Sequence, residues 1–333
     1  MNKIKFYVAL VLSVFVLLQG CAPAAKKESK VANIKKEVVE KPPAPVVETK
    51  KIVEKSEQQH VLILLSSSAG PYKRLANEIR RSIGEYATQV ILTGKYAHDK
   101  SIINEVKSSK ATQIVAIGLL AAKAVKAIEN KQVIFTHVVN YQDNDLVTEN
   151  SKGVCGLPSP ELLFKDWRKL SPKLTTVAII SGKNLDTYLN RVKKAAKAQG
   201  IKLRLDQVST DKEFIYKSKS LKAVDGQWIL PDNRVLSAKA LKEVMAYGSR
   251  RGRQIVVFSP KLLSFGGFFY VQPDESKMAK VVLQRLFDSA GKTTIPGDGV
   301  LPVMSHTMGI NQNIARQFNL KIPDKYRKNI NGQ

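Results

Sequence analysis

Cysteine is nearly absent: the 333 residues hold two, Cys21 and Cys155. Histidine occurs four times, at His60, His98, His137 and His306, and no two are three or four residues apart. Without a cysteine pair or closely spaced imidazoles, the sequence gives no metal site and calls for no cofactor. No G-x-S-x-G elbow and no Walker-type loop occurs, so no nucleophile–base set stands out and a binding protein is expected rather than an enzyme. Acidic residues are short as well, 28 Asp and Glu against 54 Lys and Arg, a net charge of +26. That excess calls for a polyanionic neighbour: nucleic acid, acidic lipid headgroups or an anionic envelope polymer. Long apolar runs are also lacking. The one candidate, residues 7–18, is too short for a spanning helix.

The same short run chooses among the polyanions. Lys3 and Lys5 precede it, the basic-then-apolar layout of a secretory signal. It ends in Leu18-Gln19-Gly20-Cys21, which resembles the bacterial lipobox: an aliphatic residue, then a small one directly before an obligatory cysteine. The resemblance implies that residues 1–20 are a lipoprotein signal peptide and that Cys21 is lipidated. Export removes nucleic acid as a partner and leaves a membrane, reached through the lipid. Ala22 follows the cysteine where Asp would favour the inner membrane, so a Gram-negative envelope would place the chain on the outer one, facing the periplasm. Cys155 then has no disulfide mate and is read as a small buried residue. Residues 21–58, rich in Lys, Glu, Val, Ala and Pro and including KPPAPVVE at 41–48, form an extended tether. Basic runs at 191–204, 249–253 and 327–333 are solvated faces with a weak attraction to an anionic envelope surface.

From His60 onward the pattern is βα. VLILLSSS (61–68), VILTGK (90–95), TQIVAIG (112–118) and KQVIFTHV (131–138) read as strands between helices at 71–86, 101–110 and 119–130. After a loop at 139–174, TTVAIISG (175–182), IKLRLDQVS (201–209), GQWILPD (226–232) and QIVVFSP (254–260) read as strands. The helices between them fall at 184–200, 211–221 and 237–252, the last with Ser237 as its cap. Continuous apolar strands separated by helices indicate parallel sheets covered on both faces, so an α/β protein of two doubly wound lobes is expected.

In such sheets ligands sit beyond the carboxyl ends of the strands. Six strand ends here run into short polar or glycine-containing stretches: SSSAG (66–70), GLLAA (118–122), THVVN (136–140), SGKN (181–184), PDN (231–233) and SP (259–260). Ser66, Ser67 and Ser68 stand at a helix start, suited to a carboxylate, or serve only as an ordinary cap. Thr136 and Asn140 end a strand facing the cleft, and Ser181, Asn184 and Ser259 end others. Tyr141 and Phe268 or Phe269 are candidates for stacking on a flat ligand; the other reading of FFY (268–270) is a buried strand.

The segments IVAIGLLAAKAV (114–125), QVIFTHVVN (132–140), SKGVCGL (151–157), WILPDNRVLS (228–237) and VVFSPKLLSFGGFFYVQPDES (256–276) resemble, in order and spacing, the ABC-transporter substrate-binding proteins of the tryptophan/tyrosine-receptor kind. The resemblance covers about residues 59–325 and ends on GINQNIARQFNLKIP (309–323). It implies a type I periplasmic-binding-protein fold with crossovers near 138–156, 265–273 and 296–308. Lobe 1 would be 59–140 plus about 274–300, and lobe 2 would be 141–273 plus about 301–333. It also implies Asp232 and Asn233 as polar cleft residues. Leu119 stands where the family often has a hydroxyl, and VVNYQDND (138–145) where it tends to have an acidic–proline pair, so a ligand different from the family's usual one is expected.

Two functions remain open. One is a lipid-anchored solute receptor of an ABC uptake system, binding an amino acid or related small polar molecule for a permease. The other is an envelope lipoprotein using the same fold as a protein-interaction or regulatory module.

Overall fold

The computed structural model describes residues 60–92, 100–292 and 294–331. Cys21 and the segments expected to be a signal peptide (1–20) and a tether (21–58) lie outside the described residues. The chain forms β1 (Val61–Leu65), α1 (Gly70–Ile83), β2 (Ala87–Ile91), α2 (Lys100–Ser108), β3 (Gln113–Ile117), α3 (Leu119–Val125), β4 (Gln132–Thr136) and β5 (Ser151–Val154). It continues with α4 (Pro160–Leu170), β6 (Thr176–Gly182), α5 (Asp186–Ala198), β7 (Lys202–Val208), α6 (Asp211–Ser220), β8 (Gly226–Trp228), α7 (Ala238–Arg250), β9 (Gln254–Val257) and β10 (Phe269–Pro273). It closes with α8 (Glu275–Ser289), β11 (Val300–Leu301), β12 (His306–Asn311), α9 (Gln312–Gln317) and β13 (Ile330–Asn331).

These strands make two sheets. The first has the order β11-β5-β4-β3-β1-β2 and is parallel throughout. The second, β13-β12-β10-β9-β8-β6-β7, is parallel except where β12 runs against β10. Successive strand residues point to opposite faces, and the cores follow. Val61, Ile63 and Leu65 pack with α1 and α8, whereas Leu62 and Leu64 pack with α2 and α3. In the second sheet Val177 and Ile179 face α4 and α5, while Ala178 and Ile180 face α6 and α7. Both sheets are thus covered on both faces, as the continuous apolar strands require, and the fold is the expected two-lobed α/β architecture.

The lobe boundaries differ from expectation. β5 pairs with β4, so lobe 1 runs past residue 140, and the stretch from 137 to 150 is a loop within it. The chain passes between the sheets at 155–159, between β10 and α8, and at 302–305. β2 begins at Ala87 rather than 90, as a half-exposed edge strand, and β8 stops at Trp228 rather than 232.

The larger omission is α4, which occupies the expected loop at 139–174. Its apolar face, Leu163, Phe164, Trp167 and Leu170, has helical spacing, and Pro160 suits its first turn. It docks so closely on β8 that a Cβ at Gly226 would lie 2.3 Å from the Trp167 ring. Ser159 caps it, accepting from the Leu162 N–H at 3.3 Å and donating to Glu161 at 2.6 Å. Ser159→Ala is expected to cost about 1 kcal/mol, read as a lower urea midpoint at unchanged slope. Phe268 and Phe269 are fully buried in the lobe 2 core, so the buried-strand reading of FFY holds and neither ring meets a ligand.

Candidate functional site

The ends of β4, β8 and β9, the start of α1 and the first two crossovers surround a cavity of about 310 Å³. Its wall is mainly aromatic and proline: Tyr72, His137 and Phe258, with Pro71, Pro158, Pro231 and Pro273. The polar groups on it are Ser259, Gln272, Glu275 and the His137 ring. Gln272 is oriented by donating to the Phe258 carbonyl at 2.9 Å. Glu275, in the first turn of α8, is matched by Arg74 of α1 through two bonds of 2.7 and 2.8 Å. The wall therefore carries one carboxylate, already neutralised.

His137 is the unusual residue. Its φ is +56°, a left-handed conformation that costs a non-glycine residue about 1–2 kcal/mol. It fits because Gly156 opposes it, where a Cβ would lie 2.6 Å from the His137 Cα. The ring tilts against Tyr72 at 5.5 Å. Its Nδ1 is buried and has no hydrogen-bond partner among the described residues, although the ring edge meets the cavity. Burial lowers the imidazole pKa to about 4, so at neutral pH it is an uncharged ring.

Beside this cavity an ion-pair latch joins the lobes. Arg234, after β8, donates to both Asp232 oxygens at 2.8 Å and to the Lys183 carbonyl at 2.7 Å. Across the gap it reaches Asp143 of the lobe 1 loop at 2.6 Å. Asn184, itself left-handed at φ +59°, also donates to Asp143. Asp232 further accepts from the Gly182 N–H at 2.9 Å. Beyond the latch lies a second cavity of about 680 Å³ bordered by Tyr141, Gln142, Tyr188, Arg191 and Val300. The crossover at 155–158 separates the two: Cys155 and Leu157 line the larger, Gly156 and Pro158 the smaller. Burial raises the Cys155 thiol pKa, so it is protonated and unreactive at neutral pH.

The expected residues scatter across these features. Ser259 lines the smaller cavity and Tyr141 the larger; Asn184 and Asp232 form the latch, and Asn233 beside them is exposed. Three hydroxyls turn inward instead. Ser66 accepts from the Ala121 N–H at 2.9 Å and so fixes the start of α3. Thr136 is fully buried and donates to the Met278 sulfur at 3.4 Å. Ser181 is buried and bonds to the Gly182 carbonyl. Ser67 accepts from the Ala69 N–H, Ser68 is exposed, Leu119 packs on the lobe 1 core, and the Asn140 carbonyl accepts from Asn144. Sequence reasoning missed Tyr72, Phe258, Gln272, Asp143 and Arg234, and weighed His137 only as a metal ligand. The missed signal was that PDN (231–233) is followed by Arg, one basic residue in an otherwise strand-end motif.

No protein-family profile matches the chain, and no curated protein matches it by sequence. Solved structures do. An ABC domain in complex with L-Trp from Streptococcus pneumonia is 17% identical at a TM-score of 0.59, covering 82% of this chain and 99% of that one. A substrate binding protein with adhesive properties from Clostridium difficile, in a ligand-free, open structure, is 17% identical at 0.60, covering 81% and 97%. An arabinose binding protein from Geobacillus stearothermophilus is 12% identical at 0.54, covering 78% and 98%. The shared feature is the fold, two α/β lobes of the type I periplasmic-binding-protein kind.

Proposed function

We propose that this chain, with its type I periplasmic-binding-protein fold, is an extracytoplasmic solute receptor rather than an enzyme. It is anchored through lipid at Cys21 and closes on a small polar molecule, an amino acid or a compound of similar size, for delivery to an ABC permease. The observation that carries this reading is the 310 Å³ cavity between strand ends and crossovers, the usual ligand position in open α/β sheets. Its aromatic and proline walls suit a flat body, and His137, Ser259 and Gln272 suit a polar edge. A zwitterion would find counter-charges by intruding on the Glu275–Arg74 pair.

Melting curves of the protein with amino acids, nucleosides and sugars test the reading. A ligand bound only by the native state, at a hundred times its Kd, adds about 2.7 kcal/mol of stability. At least one solute is expected to raise Tm by several degrees, and less so in Ser259→Val. A flat response across all three classes counts against a receptor. One observation favours the rival, an envelope interaction module: Arg234 joins the lobes directly, through Asp143 on one side and Asp232 on the other. Recovery of a permease and its ATPase from crosslinked envelopes would decide against that rival.

A further inference from the structure

The charge of the body is unevenly divided. Counted by lobe, residues 155–273 and 302–331 carry 27 Lys and Arg against 10 Asp and Glu, whereas residues 60–154 and 274–301 carry 16 against 12. The excess, +17 against +4 by subtraction of those counts, therefore sits on lobe 2. Part of it converges on a polar cavity of about 570 Å³ at the amino ends of β8 and β9, at the end of the sheet remote from the cleft.

Four cations line this cavity: Lys219, Lys222, Arg251 and Arg253. Three of them surround one ring, with Lys219, Arg251 and Arg253 at 5.9, 5.4 and 5.6 Å from the Tyr247 centroid. Arg204 adjoins them, donating to the Lys222 carbonyl at 2.8 Å. Arg253 has a structural task, since its buried guanidinium donates to the Ser218 and Leu221 carbonyls at 2.7 and 2.6 Å. Burial first, and Arg251 after it, lower the Arg253 pKa.

The carboxylates nearby do not balance this set. Glu243 pairs with Lys219, and Asp225 is engaged by the Thr175 hydroxyl and the Thr175 and Thr176 N–H groups at 2.6–2.8 Å. The C-termini of α6 and α7 also end here, and each contributes about half a negative charge. Five cations against two carboxylates and about one unit of helix dipole leave roughly two positive charges. Lys222 and Arg251 are exposed and in no ion pair among the described residues.

We propose that this cavity is a second binding site, for a phosphate group, on the end of lobe 2 away from the solute cleft. A phosphate matches the charge, and Arg and Lys side chains over an open polar cavity match its oxygens. A free phosphate and a phosphate-bearing lipid headgroup share this chemistry.

Calorimetric titration of the full chain with inorganic phosphate, at ionic strength matched with chloride, tests the site. Cosedimentation with phosphatidylglycerol–phosphatidylcholine vesicles against phosphatidylcholine vesicles separates the sources, because any lipid anchor contributes equally to both. The double variant Lys222→Ala/Arg251→Ala is expected to weaken whichever probe binds by about tenfold or more, since a hydrogen bond to a charged group is typically worth that factor. Its Tm without phosphate should stay that of the parent, because both side chains are exposed. Binding of phosphate itself identifies a free-phosphate site; binding of the anionic vesicles alone identifies a headgroup site. Equal binding by parent and double variant, or no response to either probe beyond the chloride and phosphatidylcholine controls, overturns the proposal.

Discussion

Arg234→Met is expected to lower unfolding stability by about 3 kcal/mol at neutral pH, because it strands a buried carboxylate. Asp232 is 2% exposed, and two of its four hydrogen bonds come from the Arg234 guanidinium. Removing one partner of a buried pair costs about 3–5 kcal/mol; the remaining backbone N–H groups of Gly182 and residue 234 and the part-exposed guanidinium place this case at the low end. Urea unfolding reads the loss. Asp143→Asn separates lobe closure from fold stability. It leaves Asp232 and Arg234 paired inside lobe 2 and weakens only the bridge across the gap, so stability should fall by less than about 1 kcal/mol. The radius of gyration from solution scattering should nevertheless increase as the lobes part. Equal stability losses in the two variants would refute the buried charge as the cause, and an unchanged radius in Asp143→Asn would refute the latch.

Between pH 6.5 and 4 the protein should lose about 2–3 kcal/mol of stability through His137 alone. The folded imidazole has a pKa of about 4, against about 6.5 when unfolded. Below pH 6.5 the unfolded chain takes up a proton that the folded site refuses, so stability falls with pH and levels off near 4. Above 6.5 both states are neutral and the contribution vanishes. Each pKa unit is worth about 1.4 kcal/mol, and the ring edge facing the cavity trims the total. The carboxylates act lower. At Asp274 and Asp166 burial pushes the pKa up, but hydrogen bonds outweigh it, from Ser276, Lys277 and Ser305 to the first and from His306 and Tyr326 to the second. Their contribution is complete above the ordinary carboxylate range, near pH 4, and is lost as pH falls through their lower folded values. The two windows are therefore separable. His137→Asn, whose side chain tolerates positive φ, should flatten the slope between pH 6.5 and 4 and leave the acid limb intact. The same slope in both proteins would mean that His137 is not its source.

Much of this architecture was legible because strand and helix periods differ physically. VLILL, and QIVAI after its first residue, are apolar at every position, which only a sheet covered on both faces can use, and the structure buries both strands completely. Ser237 is likewise the cap of α7, accepting from the Ala240 N–H. The site was far less legible. A hydroxyl at a strand end serves a ligand or a backbone equally well, and Ser66, Thr136 and Ser181 went to the protein. That choice depends on which neighbour, Ala121, Met278 or Gly182, comes within reach in three dimensions. The helix α4 was missed because its four-residue stripe lies in a stretch whose start has a strand, a crossover and two prolines, Pro158 and Pro160, close together. Of the latch only the Arg after PDN was visible; its pairing could not be read, since Asp143 and Arg234 are distant in sequence and meet only once the lobes face each other.

The placement of α8 bears on how the molecule is made. Chain emerging from the ribosome delivers β1 through β5 first, then most of lobe 2, and only afterwards the helix that packs beside α1. Until Met278, Val282 and Leu286 arrive, Leu75, Ile79 and Ile83 lack the partners that complete their core. Lobe 1 begins first and finishes after most of lobe 2 has been synthesised. A fragment ending at residue 154 would expose that face to water, and a single cut anywhere in residues 155–273 would sever the two pieces of lobe 1. Such distant pairings make folding slow, so vectorial synthesis holds the first half of the body unfinished until nearly all of it exists.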